Sequence, residues 1–171
     1  MNIRNIVATA KSHVVLDLDF IHSLLPSDLC YRSSSFGSLN LQDDFRTLFQ
    51  LFKNGNVVVI GGNDENEAKN IFDGYVSQLN YLGIGITFSG YKIRNIIATY
   101  KQENKINLSL LANTQGLFYE PELFPAVRYR NNRLKITVNI FHTGSCVFLG
   151  ASSFADLDVV ASEVKNLLCS V

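Results

Sequence analysis

Polar and apolar positions along the chain follow two rhythms, and each rhythm occurs twice. Residues 3–11 (IRNIVATAK) and 92–101 (KIRNIIATYK) alternate and are rich in β-branched side chains, which predicts strands. In the first, Asn5, Val7, Thr9 and Lys11 fall on one face, and Arg4, Ile6, Ala8 and Ala10 on the other. Short helices are predicted next, from about Asp17 to Leu25, stopped by Pro26, and from about Asn107 to Asn113. Three more strands follow in each half, near 36–43, 46–53 and 56–62, then near 126–133, 134–142 and 145–151. Lys53-Asn54-Gly55-Asn56 and His142-Thr143-Gly144-Ser145 read as hairpin turns in which glycine is free to take positive φ. Each half closes with an amphipathic helix. Its apolar stripe falls at 68, 71, 72, 75, 76 and 79, and again at 157, 160, 161, 164, 167 and 168. Asn63 or Asp64 can cap the first long helix and Ser153 the second.

The doubling extends beyond rhythm. IRNIVATAK at 3–11 returns as IRNIIATYK at 93–101, an offset of 90 that Val15-Leu16-Asp17-Leu18 and Lys105-Ile106-Asn107-Leu108 retain. At Phe52 and Phe141 the offset is 89, as a single loop insertion or deletion would produce. Two copies are too few for a solenoid. A closed pseudo-twofold pair is expected, repeat 1 at 1–88 and repeat 2 at 89–171, packed as one domain. The fold class is α+β. About ten antiparallel strands should run continuously across both halves and curl, with helices on the convex side. The concave face stays bare, and function is expected there.

Composition narrows the classes. Hydrophobic content of 47% supports a real core, with 18% charged residues. No apolar window is long enough to span a bilayer and the N-terminus lacks a signal pattern, so neither a membrane partner nor secretion is expected. Cys30, Cys146 and Cys169 form neither a disulfide framework nor a metal site, and are expected as buried free thiols. His13, His22 and His142 lie in different elements without a recurring cysteine or carboxylate, and there is no Gly-rich phosphate loop. The chain is therefore expected to be no enzyme and to need no cofactor. Net formal charge is zero and the pI near 6.8, against the basic footprint usual in nucleic-acid binders.

The segment YEPELFP at 119–125, followed by Tyr129-Arg130 and Ile140-Phe141-x-x-Gly144, resembles the second repeat of the TATA-box-binding protein family. Gly90-Tyr91-Lys92-Ile93-Arg94-Asn95-Ile96 is similar to that repeat's opening strand. The resemblance runs from Ile3 to Leu168, with the first half more diverged. It implies a saddle whose concave sheet sits in the DNA minor groove. It implies a general initiation factor that binds and bends AT-rich promoter DNA and recruits a transcription factor IIB-like partner, with other initiation factors, into a preinitiation complex. The nucleus, or the site of viral transcription for a viral homologue, is the implied location. The implied intercalating wedges are Phe36, Phe52, Phe124 and Phe141. Asn5 and Asn95, beside Val7 and Ile97, would meet base-edge acceptors near the pseudo-dyad, with Val58 and Val147 on the same groove face. Arg130 would touch phosphate, and Glu120, Glu122 and Leu123 the IIB-like factor.

Physical chemistry agrees with these roles. The minor groove of A·T pairs presents only acceptors, so an amide donor suits it and apolar surface can lie along it. Unstacking a base step costs a few kcal/mol, offset by the larger contact of a bent duplex. Alternatives remain: each phenylalanine could be rim packing, and the asparagines could satisfy backbone groups. Departures from the family are specific. Ser35 precedes Phe36 where a basic residue is usual, Asn56 and Ser145 stand in place of hairpin lysines, and Gln42 stands where the second repeat keeps Arg130. Ile60 and Leu149 replace threonines, and Gln50 and Asn139 replace groove-facing leucines. The phosphate term should be thinned, and the two new amides could accept from a guanine amino group.

A divergent member with lower intrinsic DNA affinity and greater reliance on a partner is expected. Asp64, Glu65, Glu67 and Asp73 make the first long helix acidic where the family is basic, mostly a solvated face. Regulators that recognise the usual basic surface would then not bind it. The alternative is an adaptor that keeps the fold, has lost most DNA affinity and acts through 119–125. Exposed wedges would form an apolar patch, so a homodimer in the absence of DNA is a further expectation.

Overall fold

The computed structural model describes residues 1–34, 37–43 and 47–169. It holds two compact units, Asn5–Arg94 and Met1–Arg4 with the chain from Asn95 onward. In the first lie β1 (Asn2–Lys11, from Asn5), α1 (Leu18–Leu24), β2 (Cys30–Arg32), β3 (Ser38–Gln42), β4 (Leu48–Phe52), β5 (Asn56–Ile60) and α2 (Glu65–Tyr81). In the second lie β6 (Ser89–Lys101, from Asn95), α3 (Leu108–Leu111), β7 (Leu117–Phe118), β8 (Ala126–Asn131), β9 (Ile136–Phe141), β10 (Ser145–Ala151) and α4 (Phe154–Cys169). The first unit's antiparallel sheet has the order β2-β3-β4-β5-β1, and the second repeats it as β7-β8-β9-β10-β6.

Alternation sets which face of each sheet is covered. Ile6, Ala8 and Ala10 are buried while Asn5, Val7 and Thr9 stay half-exposed. Phe49, Leu51, Val57 and Val59 join the buried side, against Ala68, Phe72, Tyr75 and Leu79 of α2. Phe49 stacks on Tyr75 with ring centroids 5.0 Å apart, and Phe72 meets Tyr91 at 5.0 Å. The Tyr75 hydroxyl is held by Thr47 Oγ1 at 2.7 Å, so its burial leaves no orphan there. In the second unit Ile96, Ala98, Val138, Ile140 and Phe148 pack toward Leu157, Val160, Ala161 and Val164 of α4. Asp64 caps α2 by accepting from Glu67 N at 2.8 Å, and Glu67 reaches back to Asn63 N. Ser153 Oγ accepts from Asp156 N at 3.1 Å at the start of α4. Of the two alternatives for α2, Asp64 rather than Asn63 is the cap.

Two expectations need amendment. β2 and β7 are strands that alternation did not reveal, because two or three residues carry no period and exist only by pairing with β3 and β8. The repeat offset is also not one slip. In the strand ladders Tyr31 occupies the place of Phe118, Asn40 that of Arg128 and Gln50 that of Asn139, so the offset runs 87, 88, 89. The connections around the short edge strands absorbed several length changes.

The two hairpins are anchored alike. Gly55 N donates to Phe52 O at 2.9 Å and Gly144 N to Phe141 O at 3.0 Å. Ser12 N and Leu16 N then donate to Gly55 O and Lys53 O, as Gln102 N and Ile106 N do to Gly144 O and His142 O. Gly55 has φ 82° and Gly144 φ 84°. A Cβ on Gly55 would collide with the carbonyl oxygens of Ser12 and Val14, and one on Gly144 would lie 2.7 Å from those of Gln102 and Asn104. Replacing either glycine by alanine is expected to cost about 2–3 kcal/mol. Urea denaturation of Gly55→Ala and Gly144→Ala checks this, and an unchanged midpoint would refute it.

Cys30 and Cys146 are buried as expected, but Cys169 is exposed at the end of α4. Burial pushes the Cys146 thiol up to about 11. At pH 8 only about one part in a thousand would be thiolate, the reactive form. Cys169 should therefore label rapidly with an alkylating reagent at pH 8 while Cys146 labels only on unfolding, as mass spectrometry would show. No helix is long and apolar enough to cross a membrane, and no metal-holding cluster of His, Cys, Asp or Glu occurs among the described residues.

Candidate nucleic-acid interface

Each sheet has one face that the helices leave uncovered, and the strand registers order its side chains into cross-strand rows. In the first unit one row runs Thr9, Val58, Gln50, Asn40, Tyr31. Its counterpart in the second runs Thr99, Val147, Asn139, Arg128, Phe118. A parallel row holds Val7, Ile60, Leu48 and Gln42 in one unit, with Leu149, Thr137 and Arg130 matching in the other. Val7, Ile97, Val58, Val147, Gln50 and Asn139 are all half-exposed on this face.

The asparagines differ between repeats. Asn95 Oδ1 accepts from Gly150 N at 2.9 Å, so its acceptor is occupied and, among the described residues, its NH2 donors are left over. Asn5, also half-exposed, makes no such bond among the described residues. In the first unit Asn40 is buried, and its Oδ1 accepts from Ser38 Oγ at 2.9 Å and Gln50 Nε2 at 3.3 Å. One Gln50 donor is thereby engaged, and its carbonyl oxygen has no partner among the described residues. Asn139 Oδ1 is buried without a partner among the described residues.

Of the four predicted wedges, Phe36 lies outside the described residues, as does Ser35. Phe52 ends β4 half-exposed, beside the Gly55 turn. Phe124 and Phe141 come together with ring centroids 5.9 Å apart at 65°, and Phe124 is 36% exposed. No described wedge ring is in the interior. The YEPELFP loop is closed by Glu120 O, which accepts from Leu123 N at 3.0 Å and Phe124 N at 2.9 Å. This turn leaves Glu120 and Glu122 exposed and Leu123 79% exposed next to the wedge. Arg130 is exposed and its Nη1 donates to Thr137 Oγ1 at 2.9 Å.

Sequence reasoning missed several basic residues here. Arg128 shares the open face with Asn139, which follows only from the β8–β9 register. Arg4, assigned by alternation to the covered side, is exposed and its Nε donates to Thr99 Oγ1 at 3.0 Å. Arg94 repeats this contact with Thr9 at 2.8 Å. A long side chain near a strand end can cross to a neighbouring row, which parity alone does not capture.

A sequence model described as transcription factor TFIID (or TATA-binding protein, TBP) matches residues 1–82 and again 90–171. A TBP-related factor of Drosophila melanogaster is 31% identical over 172 residues, covering 99% of this chain and 77% of that protein. A TATA-box-binding protein-like 1 of Entamoeba histolytica is 30% identical over 173 residues, covering 99% and 79%. The solved structure of Methanococcus jannaschii TBP superposes with a TM-score of 0.84 at 26% identity, covering 99% of this chain and 98% of that one. The chain belongs to this family of transcription factors and takes its α+β fold. The resemblance carried by YEPELFP and the doubled first strand is thereby borne out.

The orphaned Asn139 acceptor has an energetic consequence. A buried acceptor without a partner costs about 1–3 kcal/mol, which an apolar side chain would not incur. Asn139→Leu should raise stability by about 1 kcal/mol, measured as a higher urea midpoint at unchanged m-value. A lower midpoint would mean that the amide is satisfied in solution.

Proposed function

We propose that this protein is an initiation factor of the nucleus that binds promoter DNA through the minor groove and bends it with its phenylalanine wedges. The observation that carries this reading is the Phe124–Phe141 ring pair, held at the rim of an uncovered sheet face by a glycine-anchored hairpin and a closed loop. Apolar rings with no polar atom to desolvate are suited to prying a base step, and their partial exposure in the free chain leaves them available. The half-exposed apolar surface of Val7, Val58, Ile97 and Val147 suits the floor of a minor groove, and the spare Asn95 donors suit its acceptors. Arg130, with its Nε and Nη2 uncommitted by the Thr137 bond, suits a phosphate.

The exposed acidic and apolar tip Glu120, Glu122, Leu123 supports a contact with a IIB-like factor. A bandshift and a fluorescence bending assay on AT-rich duplex, with and without such a factor, test the whole reading. Wild type should bind and bend. Phe124→Ala with Phe141→Ala should weaken binding at least about thirtyfold, roughly 2 kcal/mol, and abolish the bend. Glu120→Lys with Glu122→Lys should bind duplex normally yet fail to recruit the factor. Capture of the factor with no duplex binding under any condition would replace the proposal with the adaptor reading.

A further inference from the structure

The hairpin residues Asn56 and Ser145 are neutral, yet each faces a lysine directly across the ladder. Lys11 pairs with Asn56 in the first unit, and Lys101 pairs with Ser145 in the second. The two lysines are repeat-related, both exposed, and both stand on the first rung beside a hairpin that ends in a wedge, Phe52 or Phe141. Neither makes an ion pair among the described residues. The hairpin beside Lys101 holds its charge in place rather than neutralising it. Lys101 Nζ donates to Thr143 O at 2.5 Å and to Ser145 Oγ at 3.3 Å, both from the hairpin itself. An ammonium has three donors, so one remains for an outside acceptor.

In the first unit Lys11 lines a cleft of about 590 Å³ with His13 and Arg94, beside Phe52, Asn54 and Asn56, and no lining residue is acidic. Arg94 Nε is taken by Thr9 Oγ1, which orients the guanidinium and leaves its two terminal NH2 groups for a bidentate grip. An unneutralised, donor-rich cleft at the edge of an apolar face suits an anion. For a face laid in a groove, the anions at the edge are backbone phosphates.

We infer that Lys11 with Arg94 in the first repeat, and Lys101 in the second, grip the DNA phosphates that flank the wedges, so that the charge missing from the hairpins is supplied by the neighbouring strand. The inference rests on the minor-groove reading above. It also revises the expectation of a thinned phosphate term: the contacts are relocated.

The test measures affinity for one AT-rich duplex across a series of KCl concentrations for the full chain. Each phosphate contact contributes a slope of about 0.9 in log K against log salt. Lys11→Gln and Lys101→Gln should each flatten the slope by about 0.9, and the double variant by about 1.8, with bending retained. Lys11→Arg with Lys101→Arg should restore it. Lys165→Gln, on α4 over Tyr100, controls for net charge and should leave the slope almost unchanged. Thermal melts confirm that every variant is folded. An unaltered slope in the double glutamine variant, while the wedge alanines still weaken binding and abolish the bend, overturns this inference and leaves the DNA reading standing. Wild type that binds no duplex at any salt concentration overturns both.

Discussion

A strand sends successive side chains to opposite sides, and in each unit only one side of the sheet has helices to lie against. That constraint organises everything else. Positions such as Ile6, Ala8, Phe49, Val57, Ile96, Val138 and Phe148 are fixed by burial against α2 or α4, and any polar replacement there would strand a group in the core. The intervening positions are released from packing, and these carry the candidate interface. A shift of one residue in register would exchange the two sets, so register must be secured. The hairpin glycines secure it. Gly55 and Gly144 close on the segments that follow β1 and β6 so tightly that the end of that strand and the approach to the short helix are tied to the same turn.

Much of this was legible because it is local. Strand alternation, the helical stripes, Pro26 after α1 and the Asn-Gly and Thr-Gly turns are all read from neighbours within a few residues. The doubled nonapeptide added the internal symmetry, and YEPELFP the family. What escaped depends on who sits across a ladder. Arg128, Lys11 and Lys101 are ordinary surface residues until their rungs opposite Asn139, Asn56 and Ser145 are known. Arg4 escaped because parity assigns a direction to Cβ and not to the far end of a long side chain. Cys169 escaped because free cysteines are usually buried, whereas this one ends α4 and is exposed.

The uncovered face also records how two copies of one unit diverge under different demands. The first repeat links the middle of its row through Asn40 Oδ1, which accepts from both Ser38 and Gln50. Hydrogen bonds that fill a buried acceptor in this way spare the sheet an orphaned polar atom. The second repeat leaves its matching amide, Asn139, with a buried acceptor unfilled among the described residues.

Charge diverged in the same rows. Asn40 and Gln42 in the first repeat stand where the second has Arg128 and Arg130. A tandem duplication begins with interchangeable ends, and such an object cannot distinguish upstream from downstream on a near-palindromic element. Two guanidinium groups on one copy and none at the matching sites of the other give the molecule a head and a tail. On the proposed reading, that lopsidedness is a built-in compass for the direction in which a polymerase would be set down.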